Sequence, residues 1–341
     1  MGPADELRLI YLGCAAPEAD HIDPSDRSYP GNKAGLLSFL DRVVRAKASP
    51  VVTVADLFAG TGAVAAHFAG AGARVIANDL RYASYLANCA FLLSNSGNVE
   101  GAKLRKVATY LEALPGRAGI LARRCAPLLG PEKAAKVQAC RVAIAELRAA
   151  GRVTEQEERV LLTALLYAVD RALTGRERSG RLTMRLPRLG EYRENAVYNT
   201  DARQLVREVE ADVIYLDPPL GREPEADKLA LLEEVAWGGT GGPSGLAGAG
   251  ARLGPSLGPL ADWNDAERAT RALADLLAKV RGRHLFLSYS SEGVIPNRTI
   301  WDLLKTRGRP ECFEFEHGAA SATGAGRVTE RLFYCALQPV S

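Results

Sequence analysis

Short apolar runs alternate with longer amphipathic ones along most of this chain. Val51-Val52-Thr53-Val54 predicts a buried strand, and the alanine-rich stretch 63–71 after it predicts a helix. A second strand is expected at 73–79 and a helix at 82–93, with Asn88, Asn95 and Asn98 marking its end. Upstream, Leu36, Leu37, Phe39, Leu40, Val43 and Val44 recur at helical spacing. Strand signals return at 195–202 and 211–216, followed by a helix at 265–280, a strand at 284–289 and a helix at 297–306. Strands near 312–316 and 331–337 close the pattern. Strands alternating with helices in this way predict a doubly wound α/β sheet.

One long interval breaks the alternation. Residues 101–175 read as helical throughout, with breaks at Pro115-Gly116, Gly130-Pro131 and Gly151-Arg152. Thr154-Glu155-Gln156-Glu157 is a capping-box start, and it opens an apolar helix containing Val160, Leu161, Leu162, Leu165, Leu166 and Val169. The expected organisation is therefore an N-terminal part of the sheet domain at 1–100, a helical insertion at 101–193, and the rest of the sheet domain at 194–341. Residues 238–259 hold nine glycines and three prolines, and predict a mobile loop.

The first strand carries the first candidate chemistry. It runs into Asp56-Leu57-Phe58-Ala59-Gly60-Thr61-Gly62 and then into the helix. A strand, a glycine turn and a helix make the nucleotide-binding crossover of doubly wound sheets, because glycine lets the backbone approach a ligand and adopt positive φ. Position 65 is Ala, so the dinucleotide fingerprint is incomplete. The second strand ends in Asp79, placed to accept hydrogen bonds from ribose hydroxyls.

Charge sharpens the reading of the insertion. The whole chain of 341 residues has a formal charge of only +3, but residues 101–193 hold 19 Lys/Arg against 9 Asp/Glu, a local +10. The other positions hold 24 against 31, or −7. A basic module beside an acidic one suggests a polyanionic partner, with a solvated helical face as the plainer reading. Its end, with Arg176, Arg178, Arg181, Arg185 and Arg188, is an arginine cluster suited to phosphate oxygens. Six scattered cysteines without a C-x-x-C pair and four isolated histidines point to free thiols and to no metal site. With no apolar run of about 18 residues and no leader, a cytoplasmic protein without a membrane partner is expected.

The strand at 211–216 runs into Asp217-Pro218-Pro219-Leu220. An exocyclic amine on adenine or cytosine is a weak nucleophile, because its lone pair is delocalised into the ring. A carboxylate that accepts its N–H, beside a carbonyl held by rigid prolines, orients the lone pair toward a methyl donor. Taken in order, Tyr29/Gly31/Lys33, Phe58/Gly60/Gly62, the insertion 101–193 and Asp217-Pro218-Pro219-Leu220 resemble the N6-adenine-specific DNA methyltransferases of the alpha motif order. Leu287-Ser288-Tyr289-Ser290-Ser291-Glu292-Gly293 and Thr329-Glu330-Arg331-Leu332-Phe333 look like further strands of that family.

The resemblance implies a Rossmann-like class I sheet with one reversed strand, carrying the helical insertion for target recognition. It implies S-adenosyl-L-methionine as cofactor, held by Tyr29, Lys33, Asp56, Phe58, Gly60, Gly62, Asp79 and Asp201. Asp201 would reach the cofactor's adenine amino group, and Asp217, Pro218, Pro219 and Leu220 would form the catalytic segment. Double-stranded DNA would lie against the insertion through Arg176, Arg178, Arg181 and Arg185, in the setting of restriction-modification. One departure stands out. The family has a base-stacking aromatic where this chain has Leu220, and stacking is worth about 1–3 kcal/mol per base. That leaves two other readings open, a methyltransferase for a small amine or nucleoside-like acceptor, and a catalytically weak binding module. Tyr289 and Trp237 are the aromatics that could supply the missing ring.

Overall fold

The computed structural model describes residues 21–27, 33–177, 182–190, 194–221, 225–239, 258–317 and 328–338. Its strands are β1 (His21–Ile22), β2 (Thr53–Asp56), β3 (Arg74–Asn78), β4 (Leu186–Pro187), β5 (Ala196–Tyr198), β6 (Glu210–Leu216), β7 (Arg281–Ser290), β8 (Pro310–His317) and β9 (Val328–Ala336). Its main helices are α1 (Leu37–Ala48), α2 (Ala63–Gly70), α3 (Tyr82–Leu93), α4 (Gly101–Ala113), α5 (Ile120–Leu129), α6 (Pro131–Ala149), α7 (Glu155–Leu173), α8 (Ala202–Leu205), α9 (Ala226–Trp237), α10 (Ala266–Lys279) and α11 (Asn297–Lys305).

Seven strands form one sheet in the order β5-β3-β2-β6-β7-β9-β8. Neighbours from β5 to β7 are parallel, and β9 runs antiparallel to both β7 and β8. The sheet is thus parallel with one reversed strand, as the resemblance implied. From β2 the chain winds one way to β3 and β5, and then crosses to β6 and β7 on the other side. The carboxyl ends of β2 and β6 therefore flank the switch point, where doubly wound sheets bind ligands.

Both faces of the sheet are covered. On one, α1 and α2 pack Leu40, Val43, Val44, Val64 and Phe68 onto Val54, Val75, Val213 and Phe286. On the other, α8, α10 and α11 pack Leu205, Leu273, Leu276 and Leu304 onto Ile214, Leu216, Leu285 and Leu287. Alternate strand residues feed the two cores, as the two-residue period of a strand requires.

The helices α4–α7 form a third layer. Leu104, Leu111, Leu121, Val137, Ile144, Leu161 and Leu165 share one core with Leu86 and Ala90 of α3, and with Leu231, Leu232 and Val235 of α9. The insertion is thus built onto the sheet domain through a continuous apolar contact. The capping box is present: Thr154 accepts the Glu157 N–H, and Glu157 accepts the Thr154 N–H.

Two readings of the sequence change. Asn88 lies inside α3 and does not mark its end. The stretch after Leu220 holds α9, a helix the sequence pattern above did not include, although Leu229, Leu232, Val235 and Ala236 repeat at helical spacing. The expected loop at 238–259 falls mostly outside the described residues. Among the described residues no helix is long and apolar enough to cross a membrane. Cys89, Cys125, Cys140 and Cys335 are buried free thiols; burial pushes Cys89 and Cys140 up to about 11 and Cys125 to about 12.

Candidate active site

The glycine turn is tied to the sheet from three sides. Ala59 N–H donates to the Asn78 carbonyl at 2.8 Å, and Gly62 N–H closes the turn onto the Ala59 carbonyl at 2.7 Å. Gly60 and Gly62 have φ of 55° and 86°, a region that favours glycine. A Cβ on Gly62 would also sit 2.7 Å from Asn88 Oδ1. The Asn88 amide donates to the Gly60 carbonyl at 3.2 Å, so this mid-helix asparagine holds the turn from α3.

Asp79 closes the turn from β3. One of its oxygens accepts the Gly60 N–H and the other accepts the Arg81 N–H, each at 2.8 Å. Burial still pushes its carboxyl up to about 6, against the relief of those two amides. Asn78 stitches neighbouring strand ends, donating to the carbonyls of Leu57 and Thr200, each at 3.1 Å. Phe58 meets the buried ring of Trp263 edge to face at 5.4 Å.

Asp56 ends β2, one strand away from Tyr215 of β6 in the register. It is 1% exposed, and neither carboxylate oxygen has a donor at hydrogen-bonding geometry. Burial raises its pKa well above the ordinary value, with Asp217 adding repulsion, the nearby Phe58 amide giving partial relief and Asp79 adding a smaller repulsion.

Asp217 follows β6 directly and is met by a cation. Lys33 Nζ lies 3.1 Å from Asp217 Oδ1 and 2.7 Å from Glu330 Oε1, and Ser288 Oγ donates to the same Glu330 oxygen at 2.8 Å. Burial opposes the Lys33 charge, but Asp217 and Glu330 outweigh it and raise its pKa. For Asp217 burial dominates and pushes the carboxyl up to about 6, with Lys33 pulling down and Glu330 pushing up. Leu220, half-buried against the α10–α11 core, accepts the Val294 N–H on its carbonyl at 2.9 Å.

Asp201 caps α8, accepting the Arg203 N–H at 2.9 Å, and its carboxylate is held by the Arg203 guanidinium at 2.7 Å. Arg203 reaches on to Asp262 at 2.9 Å, beside Trp263. Lys33, Asp56 and Asp217 thus converge at one edge of the sheet, next to the Gly60–Gly62 turn and Asp79. Tyr29, Arg178 and Arg181 lie outside the described residues. Arg176 is not a free phosphate contact: its guanidinium binds the fully buried Asp170 at 2.6 Å and the Asp26 carbonyl at 2.9 Å. Arg185 is half-buried just before β4. Trp237 stacks on Tyr82 at 3.8 Å, and Tyr289 is 3% exposed with its hydroxyl accepting the Ile295 N–H. Reasoning from sequence missed Glu330 as a partner of Lys33 and Ser288 as the donor to Glu330, and Arg203 and Trp263 beside the turn.

Comparison with known proteins points the same way. The family described as D12 class N6 adenine-specific DNA methyltransferase matches residues 29–112, from the Lys33 segment through the glycine turn and Asp79. The chain is 25% identical to the type II methyltransferase M.NlaIII of Neisseria lactamica, across 85% of this chain and 91% of that protein. It is 26% identical to the type II methyltransferase M.FokI of Planomicrobium okeanokoites, across 89% of this chain, and 25% identical to the modification methylase LlaI of Lactococcus lactis, across 81%. It spans about half the length of those two, 52% and 48%. The chain is an S-adenosylmethionine-dependent methyltransferase, similar over most of its length to DNA modification methylases.

The residues present fit that cofactor: Gly60 and Gly62 carry no side chain at the turn, Asp79 stands at the tip of the adjacent strand, and Asp56 is a buried carboxyl with no hydrogen-bond donor among the described residues.

Proposed function

We propose that the chain methylates adenine N6 in double-stranded DNA, with Asp217 and the Pro218 carbonyl holding the acceptor amine. The observation that carries this is Asp217 itself, partly exposed at the switch-point edge and gripped by the buried Lys33 at 3.1 Å. When bound, S-adenosylmethionine supplies an electrophilic sulfonium methyl and leaves as a neutral thioether. Asp217 accepts one N–H of the amine and the Pro218 carbonyl the other, which aims the nitrogen lone pair. As the nitrogen becomes cationic, the carboxylate stabilises it and is placed to receive its proton. Asp79 is proposed to bind ribose hydroxyls, with Tyr29, Lys33, Asp56, Phe58, Gly60, Gly62 and Asp201 forming the remainder of the cofactor pocket.

The basic insertion is proposed as the DNA-facing module, residues 101–193. Within it Lys103, Arg148, Arg159 and Arg171 pair with nearby carboxylates, whereas Arg105, Lys106, Arg123 and Arg152 are exposed. With Arg176 bound to Asp170, the phosphate contacts fall to Arg178, Arg181 and Arg185. Replacing Arg178 and Arg181 by Gln should lower affinity for all duplex sequences alike and reduce the salt slope by roughly two. The test of function is tritium transfer from labelled S-adenosylmethionine to adenine-containing duplex DNA, beside a duplex of guanine and cytosine only. Label in N6-methyladenine after digestion is expected. Cofactor binding without transfer to any adenine-containing duplex would overturn the proposal.

A further inference from the structure

Lys33 and Asp217 do not form a closed pair. Glu330 comes from β9, the reversed strand, and stands opposite Ser290 of β7 in the register. Its carboxylate reaches the same ammonium at 2.7 Å, closer than Asp217 at 3.1 Å, and is itself held by Ser288 Oγ at 2.8 Å. Both Glu330 and Lys33 are almost fully buried, at 5% and 6% exposed. Two anions share one cation here, and a third element of the sheet fixes the second anion. That is an unusual cost for a pair whose only task is to hold the fold, since buried ions must be matched closely to be tolerated.

We propose that Glu330, fixed by Ser288, is a positioning residue for methyl transfer: it sets where the Lys33 ammonium sits, and thereby how Asp217 presents its carboxylate to the acceptor amine. The inference rests on the role proposed above for Asp217. Without Glu330, Lys33 has Asp217 as its remaining anionic partner and moves wholly onto it, drawing the carboxylate away from the amine. With Glu330 in place the ammonium is shared, and Asp217 keeps an oxygen for the acceptor.

The arrangement has a signature in pH. The titratable groups around Asp217 are Lys33 before α1, Asp56 from β2, Tyr215 from β6 and Glu330 from β9, the last held by Ser288 of β7. Lys33 favours the ionised carboxylate and Glu330 disfavours it, around a value of about 6. Removing each should therefore displace the acid limb of the rate profile in opposite directions.

The experiment is kcat against pH for methyl transfer to adenine-containing duplex DNA, with cofactor affinity measured by calorimetry for each variant. Wild type should lose activity as pH falls through about 6. Glu330→Gln should lower kcat about tenfold at neutral pH with an unchanged KM for DNA, and move the acid limb down by about one pH unit. Lys33→Gln should move it up. Glu330→Asp, which withdraws the charge by one methylene, should move it down by less, and carries the test if Glu330→Gln loses cofactor binding. An acid limb that stays in place or rises in the Glu330 variants, with cofactor bound, overturns the inference. Asp217→Ala separates this failure from the other: if that variant still transfers methyl groups, the reading of Asp217 has failed, whereas a dead Asp217→Ala beside unmoved Glu330 variants rejects Glu330 alone.

Discussion

The sheet edge and the helical insertion bury acidic side chains under opposite rules. In the insertion, Asp170 has no exposed side-chain surface and is met by Arg176 at 2.6 Å and Lys228 at 3.0 Å. Glu157, 2% exposed, takes Lys103 at 2.6 Å and the amides of Thr154 and Glu100; burial is outweighed there and its pKa falls. At the sheet edge, Asp56 is as deeply buried, Asp79 nearly so and Asp217 less, yet desolvation outweighs the stabilising contacts at all three and their pKa values rise. These two insertion acids are each met by a cation, Asp170 partly from the neighbouring α9, as a scaffold requires. The sheet edge leaves its acids partly unanswered, which destabilises the free protein and suits a cationic cofactor and an amine acceptor.

The comparison predicts different outcomes for removing an acid in each place. The largest effect belongs to Asp217→Ala. Methyl transfer should fall by about 100- to 1000-fold, while calorimetric affinity for S-adenosylmethionine stays near wild type, because the lost interaction exists only with the acceptor present. A matching loss of cofactor affinity would move Asp217 from the acceptor side of the site to the cofactor side.

Next in size is the contrast between Asp170→Asn and Asp56→Asn. Asp170→Asn leaves Lys228 and Arg176 around an uncharged amide, and should destabilise the fold by about 3 kcal/mol in chemical denaturation. Asp56→Asn should do the reverse and raise the midpoint of the free protein at pH 7. The sign follows from linkage. A carboxyl whose folded pKa lies above its unfolded value binds more protons when folded, so the native state loses stability as pH rises through that window. The gain from Asp56→Asn should therefore vanish below about pH 4. If both variants destabilise alike, the two regions do not differ in the way their charges suggest.

Asp79→Ala comes third. It should weaken S-adenosylmethionine binding by about 1.5–3 kcal/mol, the range of charge-assisted hydrogen bonds. The structure adds a second contribution, since Asp79 also fixes Gly60 and Arg81. Asp79→Asn retains one acceptor oxygen, so it should lose less. Equal losses in the two variants would mean that charge alone matters.

How much of this was legible beforehand depends on how local each feature is. The Gly60–Gly62 turn, Asp79 and Asp217-Pro218-Pro219 sit at strand ends, where a few adjacent residues fix both conformation and position. Glu330 could be placed on a strand, but its contact with Lys33 joins opposite ends of the chain and follows from the register of the reversed strand. Asn88 looked like a helix terminus because asparagine favours ends; its amide is instead used sideways on Gly60. The insertion's charge was legible only as a sum. A count of +10 cannot tell that Arg176 faces a buried Asp170, since pairing is decided by packing.

The smallest effect, and the one that bears most on the acceptor, is expected at Leu220. Its backbone is fixed: the carbonyl accepts the Val294 N–H at 2.9 Å, and the next residue, Gly221, has φ of 133° with Val294 Cγ1 only 2.6 Å from where a Cβ would stand. The side chain lies at the margin of the core with Phe58 and Val294, half-buried. Leu220→Tyr therefore changes the surface offered at the site while its peptide stays put. For an extruded adenine, the added ring should stack and improve kcat/KM on DNA by at most the 1–3 kcal/mol of a base–aromatic contact, roughly five- to tenfold once the ring's own ordering is subtracted. For a smaller acceptor the ring should fill the space and stop turnover. A silent substitution would require another aromatic to serve already, yet Trp237 is stacked on Tyr82 and Tyr289 is buried with its hydroxyl bound to Ile295. Comparing kcat/KM for wild type and Leu220→Tyr on one adenine-containing duplex decides among these. A loss of DNA methylation with cofactor affinity intact would count against adenine stacking at this position and for a pocket shaped around leucine.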